Sequence, residues 1–568
     1  MPVWLFGSLR GYRREWARGD LVAGLTVWAV LVPEALAYAS IAGVSPVVGL
    51  YAAPGALVFY AAFGSSRHLI TGPMSATAAL SAAAVGTYAS QGSGTFVTLT
   101  AVLAISTGLV ALVAGVLRFG FVANFISGPV LKGFIVGLAL VIIVGQLPKL
   151  LGVEKGSGDF FQKLWDVIKQ LGDTHVLTLV VGLASLAIVL GLRRLSPRAP
   201  GSLVAVAFGI VVVAVFDLDQ HGVAIVGHIT SGLPSFGLPH VPFSDYVKLL
   251  SSGTGILLVA FAEGLGAAKT YADREGYQVD PNRELLGVGA ANLASGLSSG
   301  MVVNGSLSKT AVNASAGANS QLSGLLVAVL TILTLLLLTG LFEKLPEATL
   351  AAVVIAAVIE LVDVDSLRRL YGVYTRRLGR AYGVAARPDF IAAIAAMLGV
   401  MVFDTLPGLF IGISVSLVLL LYRTSRPRVA TLGKLPGSSG HYDDIERHPQ
   451  DATPEGVAVL RVEAGLFFAN AEWVRSRIRA AAEQERIHAV VLDAENIPFV
   501  DVSAVEMLDE LSRDLEGHGV RLLIARDVGQ VRDVMRRASE EPALQRVYPS
   551  VQAAVDAAQR RPQPKTPS

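Results

Sequence analysis

Apolar segments long enough to cross a bilayer recur, separated by short polar breaks, from about Asp20 to Tyr422. A helix needs roughly 20 residues to span the hydrocarbon core, and fewer when it is broken or buried. About fourteen such segments are predicted from the hydropathy pattern. They are 21–39, 46–63, 73–89, 97–117, 124–146, 176–192, 200–216, 253–271, 284–300, 306–318, 321–341, 346–361, 388–403 and 405–422. Because the bilayer core offers no water to unpaired backbone groups, this pattern predicts an α-helical membrane protein.

Composition agrees with this class and excludes others. Only 16% of the residues are charged, against about 25% in soluble proteins. The net charge of +2 gives no reason to expect a nucleic-acid partner, and the absence of cysteine excludes disulfides and thiolate metal sites. The first 20 residues contain no apolar core of signal-peptide length, so we expect the first apolar segment to remain as a membrane span.

Basic residues predict the orientation of the spans. They concentrate in the loops that follow even-numbered segments, as the positive-inside rule requires of cytoplasmic loops. These loops contain Arg67, Arg118, Arg193, Arg194, Arg198, Lys269, Arg274, Arg283 and the cluster from Arg368 to Arg387. We therefore expect a multi-pass protein of the plasma (inner) membrane with cytoplasmic N- and C-termini.

The third and tenth segments each begin with a glycine-containing break followed by small hydroxyl residues, within Thr71–Leu80 and Asn304–Asn313. Fourteen spans divide into seven plus seven, and an odd number per half inverts the second half relative to the first. The two breaks then occupy the same position in each half of an inverted repeat. Broken helices of this kind direct their N-termini at the membrane midplane, where free N–H groups and positive dipole ends suit an anion.

The chain changes character after Arg428. We expect a transmembrane domain over 1–432, a polar linker over 433–456, a small α/β domain over 457–559 and a disordered tail over 560–568. Within the α/β domain, the pattern predicts strands and helices in alternation. Its strands are expected at 457–462, 489–493 and 520–525, and its helices at 471–485, 503–516, 528–539 and 549–559.

Over nearly its whole length, the chain resembles the SulP (sulfate permease) family of anion transporters with a C-terminal STAS domain. The residues that carry the resemblance are Val32–Ala39, Gly72–Ala79, Phe261–Ala272 and Gly305–Asn313. The resemblance implies a core domain (spans one to four and eight to eleven) that moves against a gate domain, and a homodimer. Two positions depart from the family pattern, which usually has Pro-Gln where this chain has Pro33-Glu34, and arginine where it has Lys309.

A set of small and polar residues is predicted to bind the anion through backbone N–H groups, hydroxyls and one positive charge. Its members are Tyr38, Ser75, Ala76, Thr77, Ser306, Leu307, Ser308 and Lys309. Ordinary helix capping is the alternative for the serines and threonines, and packing is the alternative for Tyr38. Lys309 either attracts the substrate, pairs with Glu34 or Glu263, or extends its ammonium group to water. Attraction and pairing can hold in turn if the anion displaces the carboxylate.

Glu263 and Glu34 are the predicted ion-coupling residues. Glu263 lies inside an apolar helix, where an ionised residue is costly and tends to be functional. A proton is the favoured coupling ion and sodium is the alternative, while a hydrogen-bonded structural acid is the other interpretation of Glu263. Glu34 follows Pro33, which frees backbone groups within the first span. An acid there repels an anion unless it binds a proton or sodium ion.

Ser503 is a candidate regulatory site, because it falls where soluble STAS proteins carry a phosphorylated hydroxyl; a helix N-cap is the alternative. We find no catalytic constellation, no metal-ligand spacing among the histidines and no phosphate-binding loop, so we expect neither an enzyme nor a cofactor.

The sequence therefore predicts a secondary anion transporter, proton-coupled, working by alternating access. Sulfate is the first substrate expectation, and bicarbonate or a dicarboxylate comes next. The alternatives are an anion channel, a sodium-coupled bicarbonate transporter and a membrane sensor with STAS output. The expected partners are a small anion, the lipid bilayer, a second copy of the chain and a cytoplasmic protein that binds the STAS domain.

Overall fold

The computed structural model describes residues 5–121, 127–156, 158–195, 200–228, 231–373, 388–403, 405–438, 440–541 and 547–560. Contacts divide the chain into two units. One comprises Met1–Leu370 with Asp389–Ser416, and the other comprises Tyr371–Pro388 with Leu417–Ser568.

The apolar part of the chain is helical. Its helices are α1 (Trp16–Ala42), α2 (Pro46–Phe63), α3 (Ser75–Gly86), α4 (Gly94–Val116), α5 (Gly128–Leu151), α6 (Phe160–Lys169), α7 (Val176–Leu195), α8 (Gly201–Phe216), α9 (Phe243–Glu275), α10 (Pro281–Leu297), α11 (Leu307–Ser315), α12 (Leu322–Leu333), α13 (Glu347–Val358), α14 (Val364–Val373), α15 (Pro388–Phe403) and α16 (Thr405–Ser425). A π turn and a 3-10 turn continue α12 to Phe342. Each of the fourteen predicted segments overlaps one of these helices, and seven helices in the described ranges are long and apolar enough to span a membrane. The predicted fold class is confirmed. The short helices α6 and α14 were not predicted.

The helices form two groups. Helices α1–α4 and α9–α12 contact one another, and α5, α7, α8 and α13 contact one another. These groups match the core and gate domains that the family resemblance implies. Small residues allow the close approaches within them. For example, a Cβ added to Gly49 of α2 would lie 2.0 Å from the Ala35 carbonyl oxygen of α1.

Two short strands explain why α3 and α11 are half-length helices. Strand β1 (Ile70–Gly72) precedes α3, and strand β2 (Asn304–Ser306) immediately precedes α11. They pair antiparallel, with Ile70 opposite Ser306 and Gly72 opposite Asn304. Extended backbone at this depth is tolerated because each strand satisfies the N–H and C=O groups of the other.

In the described residues of the second unit, a six-stranded sheet is covered by four helices. The strands are β3 (Val429–Lys434), β4 (Tyr442–Asp444), β5 (Val457–Val462), β6 (Ala489–Asp493), β7 (Arg521–Ala525) and β8 (Val547–Tyr548), in the order β4-β3-β5-β6-β7-β8. Strands β5 to β8 are parallel, whereas β3 pairs antiparallel with both neighbours. The helices are α17 (Ala471–Ala482), α18 (Val502–Gly517), α19 (Gly529–Ala538) and α20 (Val551–Gln559). Apolar clusters cover both faces of the sheet, with α17, α18 and α19 on one face and α20 on the other.

This sheet differs from the expected boundaries at its first edge. Strand β3 begins at Val429, before the position assigned as the end of the transmembrane domain, and β4 lies within the range 433–456 expected to be a linker. Both strands are short, β3 contains a glycine, β4 contains two aspartates, and Pro436 and Gly437 lie between them, so their sequence alone looks like a loop. Of the predicted tail, only Arg560 lies within the described residues.

Candidate functional site

The pairing of β1 with β2 brings the starts of α3 and α11 together, as the two glycine-containing breaks predicted. Helix α1 contacts both half-helices, and α9 contacts α3, α11 and β2. The N-termini of two helices therefore meet in one region lined by α1 and α9. Their unpaired first-turn N–H groups and positive dipole ends favour a negative charge in this region.

Buried polar side chains hold this extended backbone in place. The Thr310 hydroxyl accepts a hydrogen bond from the Ile70 N–H at 3.1 Å, which ties α11 to β1. The Asn292 side chain of α10 bonds both the N–H and the carbonyl of Val303, at 3.0 and 2.9 Å. Sequence reasoning missed these residues. The available signal was the presence of amide and hydroxyl side chains inside otherwise apolar segments, which must find partners when buried.

Lys309 is the central charged residue of the region. Its side chain is 1% exposed, and its Nζ lies 2.7 Å from Glu34 Oε2. The same Nζ donates a hydrogen bond to the Pro73 carbonyl at 3.2 Å, just before α3, and lies 5.0 Å from the centroid of the Tyr38 ring. Lys309 thus connects α11 with α1 and with the start of α3. The two positions that depart from the family pattern, Glu34 and Lys309, form one buried ion pair.

The two half-helices differ in their capping. Ser306 caps α11, since its hydroxyl accepts from the Lys309 N–H at 3.3 Å and also lies 3.1 Å from the Ser308 hydroxyl. No side chain caps α3, so the amide groups of Ser75, Ala76 and Thr77 precede the first helical hydrogen bonds. Leu307 and Ser308 are exposed, whereas the other predicted binding residues are buried.

Glu263 lies on α9, beside the glycine that packs against β2. Its Oε2 atom is shielded from solvent and has no hydrogen-bond partner among the described residues, and the same holds for Asn304 Oδ1. A Cβ added to Gly264 would lie 2.9 Å from Asn304 Oδ1, so glycine permits this close packing. Lys309 interacts electrostatically with Glu263. The interpretation of Glu263 as a hydrogen-bonded structural acid therefore finds no partner in the described part of the chain.

Two further buried carboxylates, which sequence reasoning missed, brace the surrounding loops. Glu284 of α10 accepts hydrogen bonds from the Tyr60 hydroxyl at 2.7 Å and from Ser65 and Ser66. Asp20 of α1 accepts from the Asn319 and Ser320 residues that precede α12. Both acids are at most 1% exposed. They lie close to charged loops in the sequence, where an exposed acid is the ordinary expectation.

Ser503 lies in the second unit, in the first turn of α18, and is exposed. Asp501 caps that helix by accepting from the Ala504 N–H at 2.8 Å. The alternative interpretation of Ser503 as the N-cap is therefore wrong, because the helix begins one residue earlier than predicted. The regulatory role of Ser503 remains a prediction.

Comparison with known proteins identifies two family models in this chain. The sulfate permease family matches residues 18–377, and the STAS domain matches residues 448–554. A probable sulfate transporter of Mycobacterium tuberculosis is 37% identical over 98% of this chain and 97% of its own length. Probable sulfate transporter 4.2 of Arabidopsis thaliana is 31% identical over 96% of this chain and 82% of its own.

Solved structures share the fold. The mouse solute carrier 26 family member A9, an anion transporter in an inward-facing state, superposes with a TM-score of 0.87 at 22% identity, over 98% of this chain and 94% of its own. The transmembrane domain of a cyanobacterial bicarbonate transporter superposes with a TM-score of 0.59 at 22% identity, over 68% of this chain and 97% of its own.

Proposed function

The chain belongs to the sulfate permease family and is a transporter rather than an enzyme; we propose that it is a proton-coupled secondary active transporter with sulfate as its first substrate. The observation that carries this proposal is the meeting of two half-helix N-termini beside the buried Lys309–Glu34 pair. The relatives named as sulfate transporters support sulfate over bicarbonate and dicarboxylates.

The ion pair suggests how an anion is bound and released. In the unloaded site, Glu34 neutralises Lys309, which would otherwise be a costly buried charge at the positive end of α11. An arriving anion replaces Glu34 as the partner of Lys309. The first-turn amides of Ser75, Ala76 and Thr77 then provide additional donors. Movement of the core against the gate exposes this site to each side of the membrane in turn.

Glu263 is the proposed coupling residue. Its Oε2 atom is shielded from water and has no hydrogen-bond donor among the described residues, so it can accept a proton, and a proton there lowers the negative charge beside the incoming anion. Sodium is the second candidate, because Glu263 Oε2 and Asn304 Oδ1 are both buried acceptors without a donor among the described residues. Oxygen ligands of this kind also suit a hard cation.

Uptake of labelled sulfate into proteoliposomes tests the function directly. We expect sulfate uptake to saturate with sulfate concentration and to be driven by an inward proton gradient. Unlabelled bicarbonate and fumarate should inhibit this uptake less strongly than unlabelled sulfate does. Uptake driven by a sodium gradient at uniform pH would identify sodium as the coupling ion in place of the proton, and it would favour the sodium-coupled bicarbonate transporter. A current that grows with voltage without saturation would favour a channel, and binding without flux would favour a sensor.

The proposed setting is the plasma membrane, with both termini in the cytoplasm and with two copies forming a dimer. Cysteine labels introduced at Arg10 and at Gln559 test the orientation. Both labels should react with an impermeant reagent only after the membrane is opened. Cross-linking in native membranes then tests the dimer.

A further inference from the structure

An exposed apolar patch lies on the second unit, beside the carboxyl ends of strands β5 and β6. Its members are Phe468, Phe499 and Val502, which are 74%, 46% and 58% exposed. The Phe467 ring centroid lies 5.7 Å from that of Phe468 and 6.2 Å from that of Phe499. The Phe468 N–H also donates to Asp501 Oδ2 at 2.9 Å, immediately before Val502. These contacts join the loops that follow β5 and β6, so the three exposed side chains form one surface, called here the apolar patch.

The end of the last membrane helix fixes where this patch lies. The Asn470 amide donates to the Thr424 carbonyl at 3.3 Å, in the last turn of α16, and to the Gly465 carbonyl at 2.9 Å, in the loop after β5. The Trp473 indole N–H donates to the Pro427 carbonyl at 3.0 Å, just beyond α16. All of these residues belong to the second unit. The loop after β5 is therefore held at the point where α16 leaves the membrane.

The distance from this point to the patch is short. Phe468 precedes Asn470 by two residues, which span at most about 7 Å. The interfacial layer is roughly 5–7 Å thick on each side of the hydrocarbon core, and amphipathic elements bury their apolar side chains about 5–10 Å into it. The apolar patch is therefore within reach of the lipid headgroups.

Basic and aromatic side chains surround the same helix end. Arg423, Arg426 and Arg477 are exposed, and none has an acidic partner among the described residues. The Arg426 guanidinium lies 4.7 Å from the centroid of the Tyr422 ring and 5.5 Å from that of Trp473, and Arg477 lies 5.2 Å from the Trp473 ring. Tyrosine and tryptophan are enriched at membrane interfaces, and basic side chains there attract anionic lipids.

We propose that this edge of the STAS domain docks on the bilayer surface, with anionic phospholipid as its partner. The apolar patch enters the headgroup layer, and the three arginines face the lipid phosphates. Glu472, an exposed acid on the same side of α17, lies 4.0 Å from Arg475, which offsets its charge. The cores of protein–protein interfaces are depleted of charged residues, so exposed apolar side chains beside unpaired arginines fit a lipid surface better than a second copy of the chain. The proposal does not depend on which anion is transported.

Fluorescent labels on the full chain test the proposal, because the chain has no cysteine of its own. An environment-sensitive fluorophore is attached to Val502→Cys in nanodiscs of phosphatidylcholine and phosphatidylglycerol in equal amounts. We expect quenching by a spin label on the lipid acyl chains and protection from iodide in the water. The control is Gln484→Cys, an exposed residue beyond the other end of α17, about 18 Å away. Its label should be quenched by iodide and not by lipid.

Substitutions in the labelled protein separate the two contributions. Phe468→Ser should reduce the quenching by lipid, because it removes the most exposed apolar side chain of the patch. Arg426→Gln and Arg477→Gln should each lower the ratio of docked to undocked protein about fivefold, the size expected for one basic residue at an anionic surface. Arg486→Gln makes the same change of charge beyond the far end of α17 and should have little effect.

Three outcomes would overturn the proposal. A Val502 label that iodide quenches and lipid does not would show that the patch faces water. A label shielded from both quenchers would show that protein covers the patch, either a second copy or another partner. Equal quenching by lipid in nanodiscs of pure phosphatidylcholine would refute the requirement for anionic lipid.

Discussion

The Nζ atom of Lys309 lies 2.7 Å from Oε2 of Glu34, and both side chains are almost completely buried. Removing one partner of a buried ion pair leaves an uncompensated charge and costs about 3–5 kcal/mol. We expect Glu34→Gln and Lys309→Met each to lower the thermal stability of the purified protein strongly. The double variant should recover much of that loss without recovering sulfate uptake. Additive losses in this double-mutant cycle would show that the two charges do not stabilise each other.

Glu263→Gln should abolish the response of sulfate uptake to a pH gradient while sulfate binding persists, because the amide cannot gain or lose the coupling proton. The measurement is the ratio of uptake with and without an imposed gradient. Glu275→Gln is the control, since Glu275 is an exposed acid at the end of the same helix. A Glu263→Gln variant with an undiminished pH response would refute the coupling role.

Gly49→Ala should destabilise the protein by about 1–3 kcal/mol, the usual cost of overpacking. The added Cβ would lie 2.0 Å from the Ala35 carbonyl oxygen and force α1 away from α2. Gly86→Ala at the end of α3 is the control, because a Cβ there meets no atom within 4 Å. Thermal unfolding in detergent compares the two; equal stabilities would mean that α1 and α2 pack less closely than described.

Glu284→Gln should cost about 1–3 kcal/mol of stability, because an amide places donors where Tyr60, Ser65 and Ser66 already donate. Tyr60→Phe removes one of those donors and should cost less. Transport per folded molecule should change little in either variant. A selective loss of transport in a stable Glu284→Gln protein would instead assign this carboxylate a direct role.

We expect the free energy of unfolding to depend on pH because of His68, which lies in the loop between α2 and β1. Its Nε2 lies 3.0 Å from the Ala318 carbonyl and its Nδ1 lies 3.1 Å from the Tyr277 hydroxyl, and burial lowers its pKa below the ordinary 6.5. The folded protein therefore keeps His68 neutral, while the unfolded chain takes up a proton as the pH falls below about 6.5. The free energy of unfolding should fall over that range, and less steeply in His68→Gln.

Hydropathy and two repeated breaks were enough to predict the spans, including the short segments 73–89 and 306–318 that overlap the half-helices α3 and α11, whereas the grouping of the helices was implied by the family resemblance. These signals are local or periodic, and each reflects a requirement that the bilayer imposes on any chain. Strands β5, β6 and β7 were predictable because continuous apolar runs such as Ala489–Asp493 mark buried strands. Strands β3, β4 and β8 were not predicted, because short strands depend on the neighbours with which they pair.

The sequence by itself determined the class of the protein and the kinds of residue at its centre, whereas the tertiary structure decided which of them meet. Glu34 and Glu263 were both candidate partners of Lys309 in the sequence, and the crossing of α1 with α11 places Glu34 Oε2 within 2.7 Å of its Nζ. Glu284 and Asp20 gave no signal, because burial of an acid depends on distant donors. Electrostatic energy depends on distance and solvent exposure, and neither is set by position along the chain.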